Sequence, residues 1–147
     1  MSGSRRVARE FTLRGLYAWQ LTQQERGDIA ASLQEDSQFK KADAAYFRQI
    51  LQGVLDTVAS LEEKLRPHLD RDVAELSPIE KSILLIGAYE LIDCPDVPYR
   101  VVINEAVELA KQYGGTDGHK YVNGVLDKLA KEVRQPEIAL SSLQKGS

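Results

Sequence analysis

Apolar residues recur every three or four positions along almost the whole chain, and the strict alternation of a half-buried strand is nearly absent. That spacing predicts a protein built of helices. A first helix is expected from about Ser4 to Gln24. At about 100° per residue, Val7, Phe11 and Ala18 share one face, Arg5 and Arg9 fall on the opposite side, and Arg6 lies nearby. Leu13, Leu16, Tyr17 and Leu21 then make the helix apolar nearly all round, which predicts that it enters the middle of the molecule. A polar stretch from Gln23 to Asp43 follows, with one short helix near Ile29 to Leu33. Asp43 stands ready to cap a long helix in which Phe47, Ile50, Leu51, Val54, Val58, Leu61 and Leu65 keep helical spacing, until Pro67 ends it.

A turn over Asp70 to Leu76 leads into the sharpest local signal. In Ser77-Pro78-Ile79-Glu80, serine sits at the cap, proline at the first helical position and glutamate at the third, the pattern of a capping box. The helix it opens carries Ile79, Ile83, Ile86 and Leu91, and Pro95 and Pro98 bracket the loop beyond. Val102, Ala106, Leu109 and Tyr113 mark the next helix, stopped by Gly114-Gly115. Thr116 or Asp117 caps a last helix with Val122, Val125, Leu126, Leu129 and Val133 turned inward, and Pro136 stops it. The tail from Glu137 has little pattern and is expected to fray. The fold class is therefore all-α, a bundle of about seven helices in two packed subbundles. A single domain is expected over 1–147, divided into an N-terminal subbundle (about 4–69), a C-terminal one (about 70–134) and a tail (135–147).

Composition narrows the function. Hydrophobic residues make up 43% of the 147, enough for a real core, and the net charge of −3 argues against coating nucleic acid by bulk positive charge. A local basic patch stays open. Cys94 is the one cysteine, so no intrachain disulfide can form, and with two histidines it makes no zinc-finger-like site. No apolar run approaches the ~20 residues of a membrane span, and Met1 to Arg6 is not followed by an apolar signal core. A cytoplasmic location, without metal or cofactor, is the expectation.

Catalytic constellations are weak. Gly114-Gly115-Thr116 lacks the lysine and the spacing of a phosphate loop and is better explained as a helix stop. His68 and His119 lie on separate segments, and no nucleophile or carboxylate is tied to either by a recognisable spacing. Glu105 and Glu108 share a helix without the histidine of a metal motif, and Cys94 reads as a loop or core residue. Binding signals are better. Arg5, Arg6, Arg9 and Arg14 face only one acid, Glu10, within their stretch, and Arg5 and Arg9 are a turn apart, so they can grip neighbouring phosphates. Read alone, the same residues suit a solvated helix start. In His119-Lys120-Tyr121, lysine can meet a phosphate and tyrosine can stack on an unpaired base, although Tyr121 taken alone is better explained as a half-buried core aromatic beside Val122 and Val125.

Taken together, these segments resemble the NusB family of transcription antitermination factors. The resemblance rests on Arg5-Arg6-Val7-Ala8-Arg9-Glu10 running on to Leu16-Tyr17-Ala18-Trp19-Gln20, on Glu80-Lys81, and on Ala88-Tyr89-Glu90-Leu91. It continues through Val97 to Lys111, with Asn104-Glu105-Ala106, and through His119-Lys120-Tyr121-Val122-Asn123-Gly124-Val125-Leu126-Asp127-Lys128, covering about residues 4 to 134. It implies an all-helical fold of two bundles and no enzymatic activity. It further implies binding to the boxA element of nascent ribosomal RNA transcripts, jointly with NusE, a ribosomal protein, in an antitermination complex on RNA polymerase. By the same resemblance, Arg5, Arg6, Arg9, Asp117, Lys120 and Tyr121 would bind single-stranded RNA, and His68, Glu75 and Glu80 would lie on the partner side. His68 stands where family members carry tyrosine and Tyr121 where they carry phenylalanine, each keeping a planar ring. A related domain precedes some ribosomal RNA methyltransferases; the absence of a catalytic domain here favours the stand-alone factor. The alternatives are a helical adaptor that binds only protein, and an accessory module of ribosomal RNA modification.

Overall fold

The first helix begins where the periodicity predicts. Ser4 Oγ accepts the Val7 amide at 3.1 Å, and α1 runs Arg5–Thr22. The computed structural model describes residues 3–145. After α1 come α2 (Arg26–Gln34), a 3-10 turn (Ser37–Lys41), α3 (Ala44–Asp56) and α4 (Val58–Leu65). Two further 3-10 turns, Arg66–His68 and Val73–Glu75, lead to α5 (Pro78–Asp93), α6 (Tyr99–Tyr113), α7 (Gly118–Val133) and α8 (Gln135–Lys145). The described residues form no strand, only an isolated bridge between Ser4 and Ala42. That bridge ties the start of α1 to the start of α3, where Asp43 caps the Tyr46 amide as expected.

The centre of the molecule is α5, not α1. Every residue from Ser82 to Leu91 is buried, with α1, α3, α4, α6 and α7 all packed against this helix. From Ser82 to Tyr89 it carries no charge, so it can be surrounded, whereas α1 needs water for Arg6 and Arg14 and leaves Tyr17 and Leu21 exposed. A single apolar cluster runs from Ala8 to Ala130. The Ser77 cap forms as read, with its Oγ accepting the Glu80 amide at 3.1 Å.

Four local expectations change. The long helix over Asp43 to Leu65 breaks at Thr57 (φ −129°), whose hydroxyl donates to the Gly53 carbonyl at 2.7 Å and so replaces the helical amide there. A Cβ on Gly53 would meet the Tyr89 ring at 2.3 Å, so glycine is what lets α3 approach α5 this closely. Asp117 does precede α7, but in the left-handed region (φ 66°); its side chain makes no cap and instead pairs with Lys120 at 3.3 Å. Val133 is only half-buried, against the edge of the core. Finally, the tail is a helix, α8, held by a buried arginine. Arg134 donates to the backbone carbonyls of Leu91, Glu90 and Cys94 at 2.7, 3.1 and 2.9 Å and pairs with Glu137, which in turn accepts the Tyr99 amide at 2.9 Å. No helix among the described residues is long and apolar enough to cross a membrane. Cys94 is buried, and burial pushes its thiol up to about 11, which suits a core residue rather than a nucleophile.

Candidate nucleic-acid interface

The start of α1 divides its arginines by environment. Arg6 is exposed and grips Glu105 of α6 with two hydrogen bonds of 2.9 Å, which hold its guanidinium above the usual arginine range. Arg5, half exposed, lies over the Tyr46 ring at 4.2 Å with Asp96 at 3.8 Å. Arg9 is different: it is 4% exposed and locked onto Glu90, itself 1% exposed, by hydrogen bonds of 2.8 to 3.1 Å. The Tyr46 hydroxyl also donates to Glu90, and the phenol is pushed up by burial and by the charge of Glu90. Burial opposes the charge on Arg9, but the hydrogen bonds and charge of Glu90 outweigh it and raise its pKa.

Arg9 therefore cannot meet a phosphate, contrary to the expectation that it shares a surface stripe with Arg5. Its side of α1 looks polar on the wheel but faces a buried acid. A signal for this was present in the sequence: Glu90 is the one charged residue in the run from Ser82 to Ile92, and a lone acid there needs a cation.

The second group lies at the start of α7. Lys120 is exposed beside Asp117. Tyr121 is half-buried against the core, and its hydroxyl accepts the Asp70 amide at 3.4 Å. The Arg71 guanidinium lies 4.3 Å from the centre of its ring and is bound to the Asp70 carboxylate at 2.7 and 3.3 Å. Tyr121 thus combines the two sequence readings, core packing and an aromatic near the surface. No hydrogen bond or ion pair joins this group to Arg5 and Arg6. Arg6 meets α6 at Glu105, and the eight residues on to Tyr113 span roughly 12 Å of helix before the loop to α7 begins.

The residues assigned to the partner side are spread out. His68 Nε2 lies 3.1 Å from Glu132 and so belongs with α7. Glu75 is exposed on its 3-10 turn. Glu80 is half-buried in the first turn of α5, where it accepts the Ser77 hydroxyl at 3.3 Å. Next to Glu80, Ile79 lines an open apolar groove with Leu13, Tyr17, Ala18, Leu33 and Tyr113. Tyr17 and Tyr113 are 39% and 40% exposed there, although Tyr113 has the spacing of an inward residue. The groove escapes a helix-by-helix reading because it is made by four separate segments.

Comparison with known proteins gives matches to one family. A profile of the NusB family matches residues 6–131. The chain is 67% identical over 138 residues to "Transcription antitermination protein NusB" of Thiobacillus denitrificans, covering 94% of this chain and 95% of that protein. It is 58% identical over 134 residues to the protein of the same name from Nitrosomonas europaea, covering 91% and 80%. Among solved structures it is similar to NusB of T. maritima, with a TM-score of 0.82, 26% identity, and 95% and 99% of the two chains covered. A chain in a crystal structure of the antitermination factors NusB and NusE in complex with dsRNA gives a TM-score of 0.80 at 26% identity, covering 87% and 96%.

Proposed function

The chain belongs to the NusB family, as a transcription antitermination protein rather than an enzyme, and on that premise we propose that it recognises boxA-like single-stranded RNA in nascent ribosomal RNA transcripts together with NusE. It would do so in the cytoplasm, within an antitermination complex on RNA polymerase. The observation that carries this reading is the exposure of Arg5, Arg6 and Lys120 on a protein of net charge −3. Each already sits beside a carboxylate, exposed Asp96 and Asp117 or half-buried Glu105. The exposed pairs of Arg5 and Lys120 contribute only about 0–1 kcal/mol, so a phosphate can take the place of Asp96 or Asp117 at little cost, while the two-bonded Arg6–Glu105 pair is the costlier one to exchange. A structural relative, 26% identical, was solved with NusE and dsRNA, which supports RNA and NusE as the partners.

Arg5, Arg6 and Lys120 are the phosphate contacts in this reading, with Asp117 holding Lys120 and Tyr121 marking where a base is received. Arg9 is withdrawn from the contact set and becomes the buried anchor that sets the start of α1. Phosphate contacts position the RNA, and sequence is read from splayed bases. The partner surface is assigned to exposed Glu75, to Glu80 and to the Tyr17–Tyr113 groove, which Ile79 beside Glu80 lines together with Arg14; the two acids suit a basic ribosomal protein. His68 is engaged with Glu132 of α7, so a partner that used its ring would have to break that contact.

The test is fluorescence anisotropy with a boxA-like RNA and a scrambled control, across salt, with and without NusE. Substituting Arg5, Arg6 and Lys120 together by alanine is expected to weaken binding about tenfold or more, and to lower the salt slope by about 0.7 for each lost phosphate contact, at unchanged thermal midpoint. Equal affinity for the scrambled RNA would remove the boxA assignment. NusE binding without any salt-dependent RNA binding would make the protein an adaptor, the reading that the Tyr17–Tyr113 groove by itself favours. Glu80→Gln is expected to weaken association with NusE in calorimetry while leaving RNA affinity alone; unchanged NusE affinity would clear Glu80 of that role.

A further inference from the structure

Arg71 stood out in neither the sequence pattern nor the family resemblance, yet it belongs to an interlocked group at the surface, between exposed Asp70 and half-buried Tyr121. Its guanidinium lies over the Tyr121 ring at 4.3 Å. Its Nε and Nη2 are held by the two Asp70 oxygens at 2.7 and 3.3 Å, and the Asp70 amide donates to the Tyr121 hydroxyl. The ring is packed against the core, so it offers the guanidinium a fixed floor. The Arg71 side chain remains 38% exposed, and its Nη1 makes no hydrogen bond among the described residues.

We propose that an unpaired base of single-stranded RNA stacks on the Arg71 guanidinium, and that Tyr121 and Asp70 are positioning residues that hold this cation flat. The inference rests on the RNA-binding reading above. The guanidinium is 38% exposed, so a base from solvent can reach it. Guanidinium planes stack on bases as aromatic rings do, and a cation between two π-faces is attracted to both. Asp70 restrains the plane through two hydrogen bonds, so little side-chain freedom is left to lose on binding. Nη1 can donate to the base edge or to a phosphate, and exposed Lys120, adjacent to Tyr121 in the chain, can take the phosphate of the same or the next nucleotide. Both charges of Arg71 and Asp70 are favoured where they are: their mutual hydrogen bonds hold the arginine up and the aspartate down from their ordinary values.

The experiment uses the full chain and a boxA-like RNA carrying 2-aminopurine at successive positions, with thermal midpoints measured for every variant. Arg71→Lys keeps the charge and loses the plane. It is expected to abolish the fluorescence quench at one RNA position and to weaken binding about tenfold, with the salt slope unchanged. Tyr121→Phe keeps the ring and is expected to retain most of the affinity. Affinity and quench unchanged or strengthened in both Arg71→Lys and Arg71→Ala would overturn the proposal, because the base would then lie on Tyr121 itself or elsewhere. If those variants are silent while the Arg5, Arg6 and Lys120 substitution still weakens binding, this inference fails and the RNA-binding reading stands. Absence of RNA binding by the unsubstituted protein would take both down.

Discussion

Arg9→Ala is expected to lower stability by about 3–5 kcal/mol, because it strands the Glu90 carboxylate in the core with only the Tyr46 hydroxyl as partner. For a chain of this length that amounts to a thermal midpoint lower by roughly 10–15 °C, read by circular dichroism. The desolvation cost of a buried carboxylate is met here by three hydrogen bonds from one guanidinium, and alanine supplies none of them. A double variant, Arg9→Met with Glu90→Leu, is expected to recover much of the loss, since replacing both members of a buried pair by apolar groups is often neutral or better. Arg9 is held above its ordinary pKa, so the part of the stability that depends on its own charge is full below the usual arginine value and fades only as pH rises through the raised one. RNA affinity measured on the folded double variant should stay close to that of the unsubstituted protein. An Arg9→Ala protein with an unchanged midpoint and poor RNA binding would return Arg9 to the interface and overturn this assignment.

The second large effect is expected at Arg134. Its guanidinium gathers three backbone carbonyls at the end of α5: those of Glu90 and Cys94 also accept the Cys94 and Val97 amides, whereas that of Leu91 lies in the last turn, where helical oxygens run out of amide partners. Through Glu137 it also fixes the first turn of α6, and Ser141 of α8 accepts from Arg100 at 3.1 Å. Arg134→Ala is expected to cost about 2–4 kcal/mol, as bonds from a charged donor are lost and the Leu91 carbonyl is left without a partner. It should also free α8, seen as faster amide exchange and proteolysis over residues 135–145. Arg134→Lys should recover only part, because one ammonium cannot reproduce the planar fork that spans three carbonyls and a carboxylate. Unchanged exchange in α8 would show that Ile138 and its packing suffice to dock that helix.

Both positions mark where the sequence stops being legible. The caps at Asp43 and Ser77, the proline-bracketed loop and the glycine stop are local: each acts on residues within about one turn, so composition and spacing reveal them. Gly114 shows the limit even here. It stops α6 as read, but in an extended conformation (φ −86°), and glycine suits it because a Cβ would sit 2.7 Å from the Ala110 carbonyl. Lys120 and Arg6 could be named as candidate cations from charge and position, and the fold leaves both exposed. Tyr121 could be named but not resolved between stacking and packing, because that depends on Arg71 and Asp70, fifty residues earlier in the chain.

By itself, then, the sequence determined the all-helical class, most helix starts and stops, the family, and which cations could face solvent. These follow from hydrophobic period and local hydrogen bonding, which act over a few residues. Tertiary structure alone decided that α5 and not α1 is central, that Arg9 belongs to the core, that α8 is docked, and that Arg71 covers Tyr121. The reason is physical: a charge shows only that it needs a partner or water. Which of the two it has depends on what the fold brings beside it, and for Arg9 and Arg134 the partners lie 81 and about 40 residues away along the chain.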